Sequence, residues 1–519
     1  YFIMGCQNDM IKVIIEDLAK NNLCNYCILR YLNEKNCNSY NDVDGRIKKL
    51  LNAQDEDYLP EIKKTKLNPC SACLGLLQLS DSSEQLNTVI NSVIESGYDC
   101  DDVTFALSLP ISFLIRSRSI WLHLINKFKE FFENKYYPHE IKQEYLVVSI
   151  KEVWKWLSSQ KIAKMIGKNA NNGVDGNFHV NIHINYDDDN LETASLFKMF
   201  PEEFQYRNHH KRKFHGEILT RKNVEKMLLE TDLKSFDNIY PVPPKTPNTF
   251  FQFSTVQCMH DSIYVAGRYN KLSRNLSQTP WMINGERRME SSVEEIIEKP
   301  ISNYIKNSGT KFSSSGREDV DVRTLGNGRP FVVEILNPRK VKIDQQYMLE
   351  IEKEINKSTN DVFVRDLQIV QKKDLYHIKA GEETKTKTYT CFCLIKLDNN
   401  DEIPEIKEKL NNLSQIKDLV INQRTPIRVL HRRPLAVRPR TVYWLKADFH
   451  EIKNDHLFFK LSLKVGAGTY IKEFVHGDFG RTTPNLSEIL EKETDILALD
   501  VEEVALQWPP SLNYDNLTK

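Results

Sequence analysis

Two Cys-x-x-Cys pairs, Cys24-Asn25-Tyr26-Cys27 and Cys70-Ser71-Ala72-Cys73, constrain the first part of this chain more than any other feature. A CxxC knuckle lets two sulfurs face one metal ion. Two knuckles make a closed four-cysteine set of the structural zinc type, with no open position for a catalytic water. The gap between the pairs exceeds that of a simple zinc ribbon, so a folded insertion must sit between them. Redox cysteines and ordinary core cysteines are the competing readings. Of the 10 cysteines, Cys391 and Cys393 share one face of a β-like run and read as small buried hydrophobes, while Cys6, Cys37, Cys100 and Cys258 have no partner spacing.

With 519 residues the chain exceeds what one hydrophobic core supports, and two or three domains are expected. Pro241, Pro243, Pro244 and Pro247 remove amide donors and fix φ, so regular structure should lapse there and the main boundary should fall near residue 245. The expected division is a zinc-binding element at 1–80, an α+β domain at 81–245 and a third domain at 246–519. The apolar stretch Phe105–Ile115 is interrupted by Ser108, Pro110 and Ser112 and falls short of the roughly 20 residues a membrane helix needs. Asp9, Glu16 and Asp17 near the start argue against a signal or transit peptide, and an intracellular protein is expected.

Both element periods are present, giving an α+β class. Helix is predicted over 9–34, over Ser119–Tyr136 with Trp121, Leu124, Ile125, Phe128, Phe131 and Phe132 on one face, and over 291–306 and 344–356. Strands are predicted at 104–114, 180–186, 329–336, 386–397, 441–450 and 457–465, the last two joined by a Lys453-Asn454-Asp455 turn.

Lys plus Arg and Asp plus Glu both number 71, so only local charge can point to a polyanionic partner. The segment Arg424–Arg440 (RTPIRVLHRRPLAVRPR) holds six arginines and no acid. Solvated charged faces normally mix signs, and this one does not, which favours nucleic acid over plain surface. A second patch, Arg207–Arg212 with Lys213, His215, Arg221 and Lys222, is diluted by Glu217 and Glu225 and stands evenly between the two readings.

Three segments carry chemistry. Phe312–Pro330 (FSSSGREDVDVRTLGNGRP) sets Asp319 among Arg317, Glu318 and Asp321 at a loop; alone, it reads as a polar surface loop. Lys385–Tyr389 (KTKTY) puts Tyr389 at the start of an apolar strand, and Ala467–His476 (AGTYIKEFVH) places Tyr470 and Lys472 after another. A carboxylate, a stacking aromatic and a cation suit covalent work on a flipped-out base.

At these residues the chain resembles the pseudouridine synthases. Arg317-Glu318-Asp319 is similar to the family's Arg-x-Asp, Lys387-Thr388-Tyr389 to the motif with the active-site tyrosine, and Gly468-Thr469-Tyr470-Ile471-Lys472 to the Gly-Thr-Tyr-Ile-Arg of the TruB branch. Together with VAGRYNKLSRNLSQTPW (Val265–Trp281), PIRVLHRRPLAVR and GTYIKEFVHGDFGRT, the match is closest to the archaeal and eukaryotic branch that modifies the TΨC arm of tRNA. The resemblance implies a catalytic domain with a mixed, mainly antiparallel sheet, and an N-terminal α+β module containing a THUMP RNA-binding domain beside the zinc element. It implies isomerisation of uridine to pseudouridine at tRNA positions 54 and/or 55 without a catalytic cofactor. Asp319, Tyr389 and Lys472 would be catalytic, and Arg317, Tyr389, Tyr470, Arg268, Arg432 and Arg433 would bind substrate. Lys472 keeps the charge of the TruB arginine but loses its bidentate fork. Cys24, Cys27, Cys70 and Cys73 would hold structural Zn2+. The expected partner is tRNA, with other structured RNAs open and no membrane partner, and the protein is expected to be a monomer in nucleus and cytoplasm.

Three rival readings stay in view. A methyltransferase would want a glycine-rich turn, and no GxGxxG occurs; a thiouridine synthetase would want an SGGxDS loop, of which SSSGRED shares only the flavour. A non-catalytic RNA-binding protein is the alternative from a different class.

Overall fold

The computed structural model describes residues 2–51, 68–135, 146–171, 176–210, 212 and 219–514. The chain divides into two compact units, Tyr1–His260 and Asp261–Lys519.

The first unit opens with α1 (Phe2–Lys20), which buries Ile14, Ile15 and Leu18. Helix does not run on to residue 34 as its periodicity predicts. The chain turns at Asn22, whose φ of 60° is one that Asn tolerates, and restarts as α2 (Asn25–Tyr31). A four-stranded sheet follows, built from β1 (Asp102–Ser108), β2 (Asn169–Ala170), β3 (Phe178–Asn185) and β4 (Gln252–His260) in the order β2-β1-β3-β4. β1 runs parallel to β2 and β3, and β4 antiparallel to β3. The aromatic helix is α3 (Ser112–Lys127), with Trp121 and Leu124 fully buried; it ends at Lys127, and Phe128 and Phe132 fold back into the core.

The proline stretch has no regular structure, yet it is held to this unit. Ser119 Oγ donates to the Pro241 carbonyl (2.7 Å) and Arg116 Nη1 to that of Lys245 (3.0 Å). Beyond it β4 still pairs with β3, so residues 252–260 lie with the first unit although the prolines precede them. Proline density marks where amides are lost, not which neighbours the next strand finds. In the second basic patch, Arg207 and Arg221 pair with Glu203 and Glu225 one helical turn away, while Lys211, Lys213 and His215 lie outside the described residues.

The second unit holds β5 (Ile263–Lys271), a small hairpin of β6 (Met282–Ile283) and β7 (Glu286–Arg287), β8 (Gly309–Ser314), β9 (Arg323–Leu336), β10 (Val362–Val370), β11 (Lys387–Lys396), β12 (Lys417–Arg424), β13 (Val437–Lys453), β14 (His456–Val465), β15 (Thr482–Thr483) and β16 (Thr494–Val504). The main sheet has ten strands in the order β10-β5-β9-β16-β11-β14-β13-β12-β15, with β8 also paired to β9. Its pairs are antiparallel except β9 with β16, the mixed and mainly antiparallel sheet expected. α4 (Val293–Tyr304) and α5 (Gln345–Ser358) cover one end, packing Ile297, Ile301, Met348 and Ile351 against Val265, Val333 and Val364. α6 (Ile403–Asn412) and α7 (Ile471–His476) cover the other around Cys391, Cys393, Leu461 and Phe474, so both cysteines are core hydrophobes.

One feature of the sheet makes a site. β5 occupies one edge of β9 along most of its length; on the other edge β8 pairs residues 331–336 and β16 pairs only Arg323 and Thr324. The loop from β8 to β9 therefore leaves the sheet where β9 exchanges one neighbour for the next. Arg323 staples the short parallel contact, giving Asp500 two bonds of 3.0 and 2.6 Å.

Candidate active site and metal centre

Asp319 sits in that loop, 38% exposed at its side chain, so the carboxylate is reachable from solvent. Sheet register brings Tyr389 near it: Thr324 pairs Val501 on β16, and Val501 pairs Tyr389 on β11, two strand spacings of about 4.8 Å each. Burial, with the charges of Glu318 and Asp319 added, pushes the half-buried Tyr389 hydroxyl up to about 12, so it keeps its proton at neutral pH.

Beneath the loop lies a buried polar network. Glu318 pairs with Arg329 at 2.9 Å, their side chains only 1% and 2% exposed. The Tyr269 hydroxyl donates to Glu318 (2.9 Å), Arg329 Nη1 donates to the Ser315 carbonyl (2.8 Å), and Gln278 Nε2 donates to the Gly316 carbonyl (3.1 Å). Lys271, wholly buried, gives its ammonium to the carbonyls of Leu276 (2.8 Å), Asp319 (3.2 Å) and Val320 (2.7 Å). Burial lowers its pKa to about 8, against the pull of Glu318 and Asp321. Gly326 must be glycine: at φ +52° a Cβ would lie 2.1 Å from the Glu502 carbonyl oxygen. Of three acids within four residues, Glu318 is buried and structural, while Asp319 and Asp321 are both open to solvent.

Two cations face Asp319. Arg428 Nη1 donates to Asp319 Oδ2 at 2.9 Å, while Lys472 Nζ stands 3.6 Å from the same oxygen. Lys472 makes its shorter contacts, 2.9 and 2.8 Å, to Asp321. Burial works against the ionised form of Asp321, and the Lys472 hydrogen bond and charge outweigh it and hold the carboxyl below its usual range. The nearest partner of Asp319 among the described residues is thus Arg428, which the sequence points to only as one of six arginines. Arg428 is itself held by Glu473, 2% exposed, through Nε (2.6 Å), and lies 5.8 Å over the Tyr470 ring. Tyr470 leads into α7, its amide donating to the Gln423 side chain (2.9 Å), which donates back to its carbonyl (2.9 Å).

The other expected substrate contacts divide. Arg432 and Arg433 are exposed, and with Arg424 and Arg438 they form no ion pair among the described residues, leaving a strip of free guanidinium groups. Arg317 lies on the flank of the loop. Arg268 is 5% exposed and gives its guanidinium to the carbonyls of Gly328 (3.2 Å) and Leu506, on a strand buried along most of its length.

In the first unit, Asn22 assembles the cysteines. Its Nδ2 donates to the Pro69 carbonyl (2.7 Å), and its own carbonyl accepts from Ser71 (3.0 Å), which sets the second CxxC against the first. All four sulfurs are buried and lie within 4.8 Å of one another. Cys24 and Cys73 Sγ are 3.8 Å apart, which matches the edge of a tetrahedron with metal–sulfur bonds of about 2.3 Å. The amides of Cys24 and Ala72 donate to Cys70 Sγ (3.3 and 3.4 Å), and Arg30 Nη1 to Cys27 Sγ (3.4 Å). Burial pushes the Cys24 and Cys27 thiols well up, so four thiolates there call for a cation. The residues fit a metal ion.

Comparison with known proteins gives the family. Residues 264–505 match the family described as Pus10, C-terminal, and residues 70–258 match Eukaryotic Pus10, N-terminal. The chain is 39% identical to tRNA pseudouridine synthase Pus10 of Homo sapiens over 87% of this chain and 81% of that protein. It is 36% identical to the Xenopus laevis protein of the same name, over 97% and 98%. The archaeal Pus10 of Thermofilum pendens is 40% identical over 47% of this chain and 52% of its own length. A solved Cbf5-Nop10-Gar1 complex overlaps 45% of this chain and 57% of its own at 15% identity and a TM-score of 0.23. On this identity, sustained along both units, the chain belongs to the Pus10 family of tRNA pseudouridine synthases.

Proposed function

We propose that this chain isomerises uridine to pseudouridine in the TΨC arm of tRNA, with Asp319 as the nucleophile and no cofactor in the reaction. The observation that carries the reading is Asp319 itself: an accessible carboxylate on an anchored loop, flanked by Arg428 and Lys472 and within electrostatic reach of Tyr389.

The bond from ribose C1′ to uracil N1 breaks with its electron pair leaving on the base. Asp319 bonds to C1′ or takes a proton from the sugar. The base turns and C5 bonds to C1′ as the Asp319–C1′ bond breaks or the sugar proton returns from Asp319; the hydrogen on C5 leaves as a proton and N1 takes one up. Arg428 fixes the Asp319 carboxylate by a hydrogen bond, with the Lys472 ammonium beside it. Tyr389, neutral at working pH, offers a face for stacking and a hydroxyl that relays the proton released at C5 toward solvent by giving up its own as it takes that one. The free guanidinium strip at Arg424, Arg432, Arg433 and Arg438 meets the RNA backbone. The first unit, which we read as a THUMP-containing module beside the cysteine centre, grips the tRNA away from the target. Nuclear and cytoplasmic pools of tRNA are both within the expected range of this enzyme.

The test is release of tritium from an unmodified tRNA transcript labelled at uridine C5, with neither ATP nor S-adenosylmethionine present. Release supports the isomerase; tight binding without release would favour the non-catalytic RNA-binding reading. The same assay reads Lys271. Protonated below a pH of about 8, its three N–H groups hold three carbonyls, two of them from the loop bearing Asp319. As pH rises through about 8 one donor is lost, so kcat should decline on the alkaline side with a midpoint near that value. A flat profile up to a pH of about 9.5 would contradict this role.

For the four cysteines we propose zinc, since four thiolates and no oxygen ligand suit it best. Protein purified without chelator should carry about one zinc per chain by plasma mass spectrometry. Cys70→Ser with Cys73→Ser should lose the metal and lower the unfolding midpoint of the first unit by more than about 10 °C. Metal-free wild type with an unchanged midpoint would contradict a structural ion.

A further inference from the structure

Just after α7 the backbone does something rare. Gly477, Asp478, Phe479 and Gly480 all have left-handed φ, of 80°, 49°, 55° and 78°. Glycine accepts this region freely and Asp tolerates it, but a bulky side chain there is an outlier that persists only where its surroundings over-determine it. They do so here on both sides. Asp478 is 7% exposed, and its carboxylate accepts the Ile427 amide at 3.2 Å. The Arg481 guanidinium donates to the Thr425 carbonyl (2.6 and 3.1 Å), the Arg481 carbonyl accepts from the Arg424 amide (2.8 Å), and the Thr482 amide donates to the Gly477 carbonyl (3.1 Å). Thr482 and Thr483 then pair with β12.

From this fixed base one side chain projects: Phe479 is 94% exposed. A glycine would suit the backbone better and water better, so local folding gives no reason for a phenylalanine. Its neighbours point to a use. Ile427, whose amide Asp478 holds, directly precedes Arg428, the residue bonded to Asp319. The same loop carries the unpaired Arg432 and Arg433. An exposed rigid aromatic amid guanidinium groups is the chemistry that receives an unpaired base on a ring face and its phosphates on cations.

We infer that Phe479 is a stacking platform for an unpaired base of the RNA substrate next to the nucleotide held at Asp319. The inference rests on the RNA-modifying reading given above, and its occupant is a nucleotide rather than an apolar protein surface.

The test compares Phe479→Gly, Phe479→Leu and Phe479→Trp in the full chain, on an unmodified tRNA transcript with 2-aminopurine in the TΨC loop. Phe479→Gly removes an unfavourable backbone conformation, so its melting temperature should rise or hold. Its kcat/KM should nevertheless drop about ten- to a hundred-fold, the range of one lost base stack. Phe479→Trp should stay within about two-fold of wild type, and Phe479→Leu, apolar without a π face, should remain low. Binding should quench 2-aminopurine with wild type and Phe479→Trp, but not with Phe479→Gly. Full activity and quenching in Phe479→Gly would overturn the inference, as would full activity in Phe479→Leu, which would indicate apolar contact alone. Wild type that quenches without forming pseudouridine would sink the catalytic reading and leave the platform standing.

Discussion

Asp319→Asn should abolish pseudouridine formation, by a factor of at least about a thousand, while tRNA affinity stays within about two-fold. The amide keeps the shape of the carboxylate and can still accept from Arg428, so the loop should hold its place. What it loses is the anion that the proposed mechanism uses. On the proposed reading, binding draws instead on the guanidinium strip and on the first unit, neither of which contains Asp319. The two readouts, single-turnover product formation and filter-binding affinity, therefore separate chemistry from recognition. Turnover close to wild type in Asp319→Asn would remove the residue from the mechanism. A parallel loss of affinity would mean that the charge organises the loop rather than the reaction.

The largest stability effect should come from Arg329→Met, in the buried network beneath the Asp319 loop. Arg329 and Glu318 are both almost inaccessible to water. Removing the guanidinium leaves a buried carboxylate with Tyr269 and Gln278 as its remaining donors, at a cost of about 3–5 kcal/mol. Urea unfolding followed by tryptophan fluorescence should show the midpoint of the second unit falling accordingly. Activity should fall as well, because Arg329 also holds the Ser315 carbonyl at the start of the Asp319 loop. Adding Glu318→Gln to Arg329→Met should restore part of the stability, since an amide does not need the lost cation. Simple additivity of the two losses would show that the pair is not coupled.

Much of this site is legible in the sequence, and its gaps have physical causes. Asp319 and Tyr389 follow from motif resemblance, and the four-cysteine centre from spacing, because each rests on short local patterns. Arg428 does not stand out, since in a run of six arginines the one that turns inward is chosen by Glu473, which lies 45 positions away in the chain. A sign is present all the same: Glu473 directly follows Lys472 in the first turn of a short helix, where a buried acid needs a cation. The division of labour between Glu318 and Asp319 is equally hidden, because which neighbour is buried depends on Arg329 and Tyr269 arriving from two strands. The surroundings of Arg268 are hidden in the same way: β5 lies inside the sheet between β9 and β10, and a long side chain there finds backbone carbonyls. The domain boundary turns on β4, whose pairing with β3 no local pattern reveals.

Mapping the product is the most direct test of an isomerase site at Asp319. Purified protein should be incubated with an unmodified tRNA transcript, without ATP or methyl donor, and the RNA treated with carbodiimide before reverse transcription. A new stop in the TΨC loop, absent without enzyme, is the predicted result. No stop anywhere in the tRNA, under conditions where the protein binds it, would contradict the assignment.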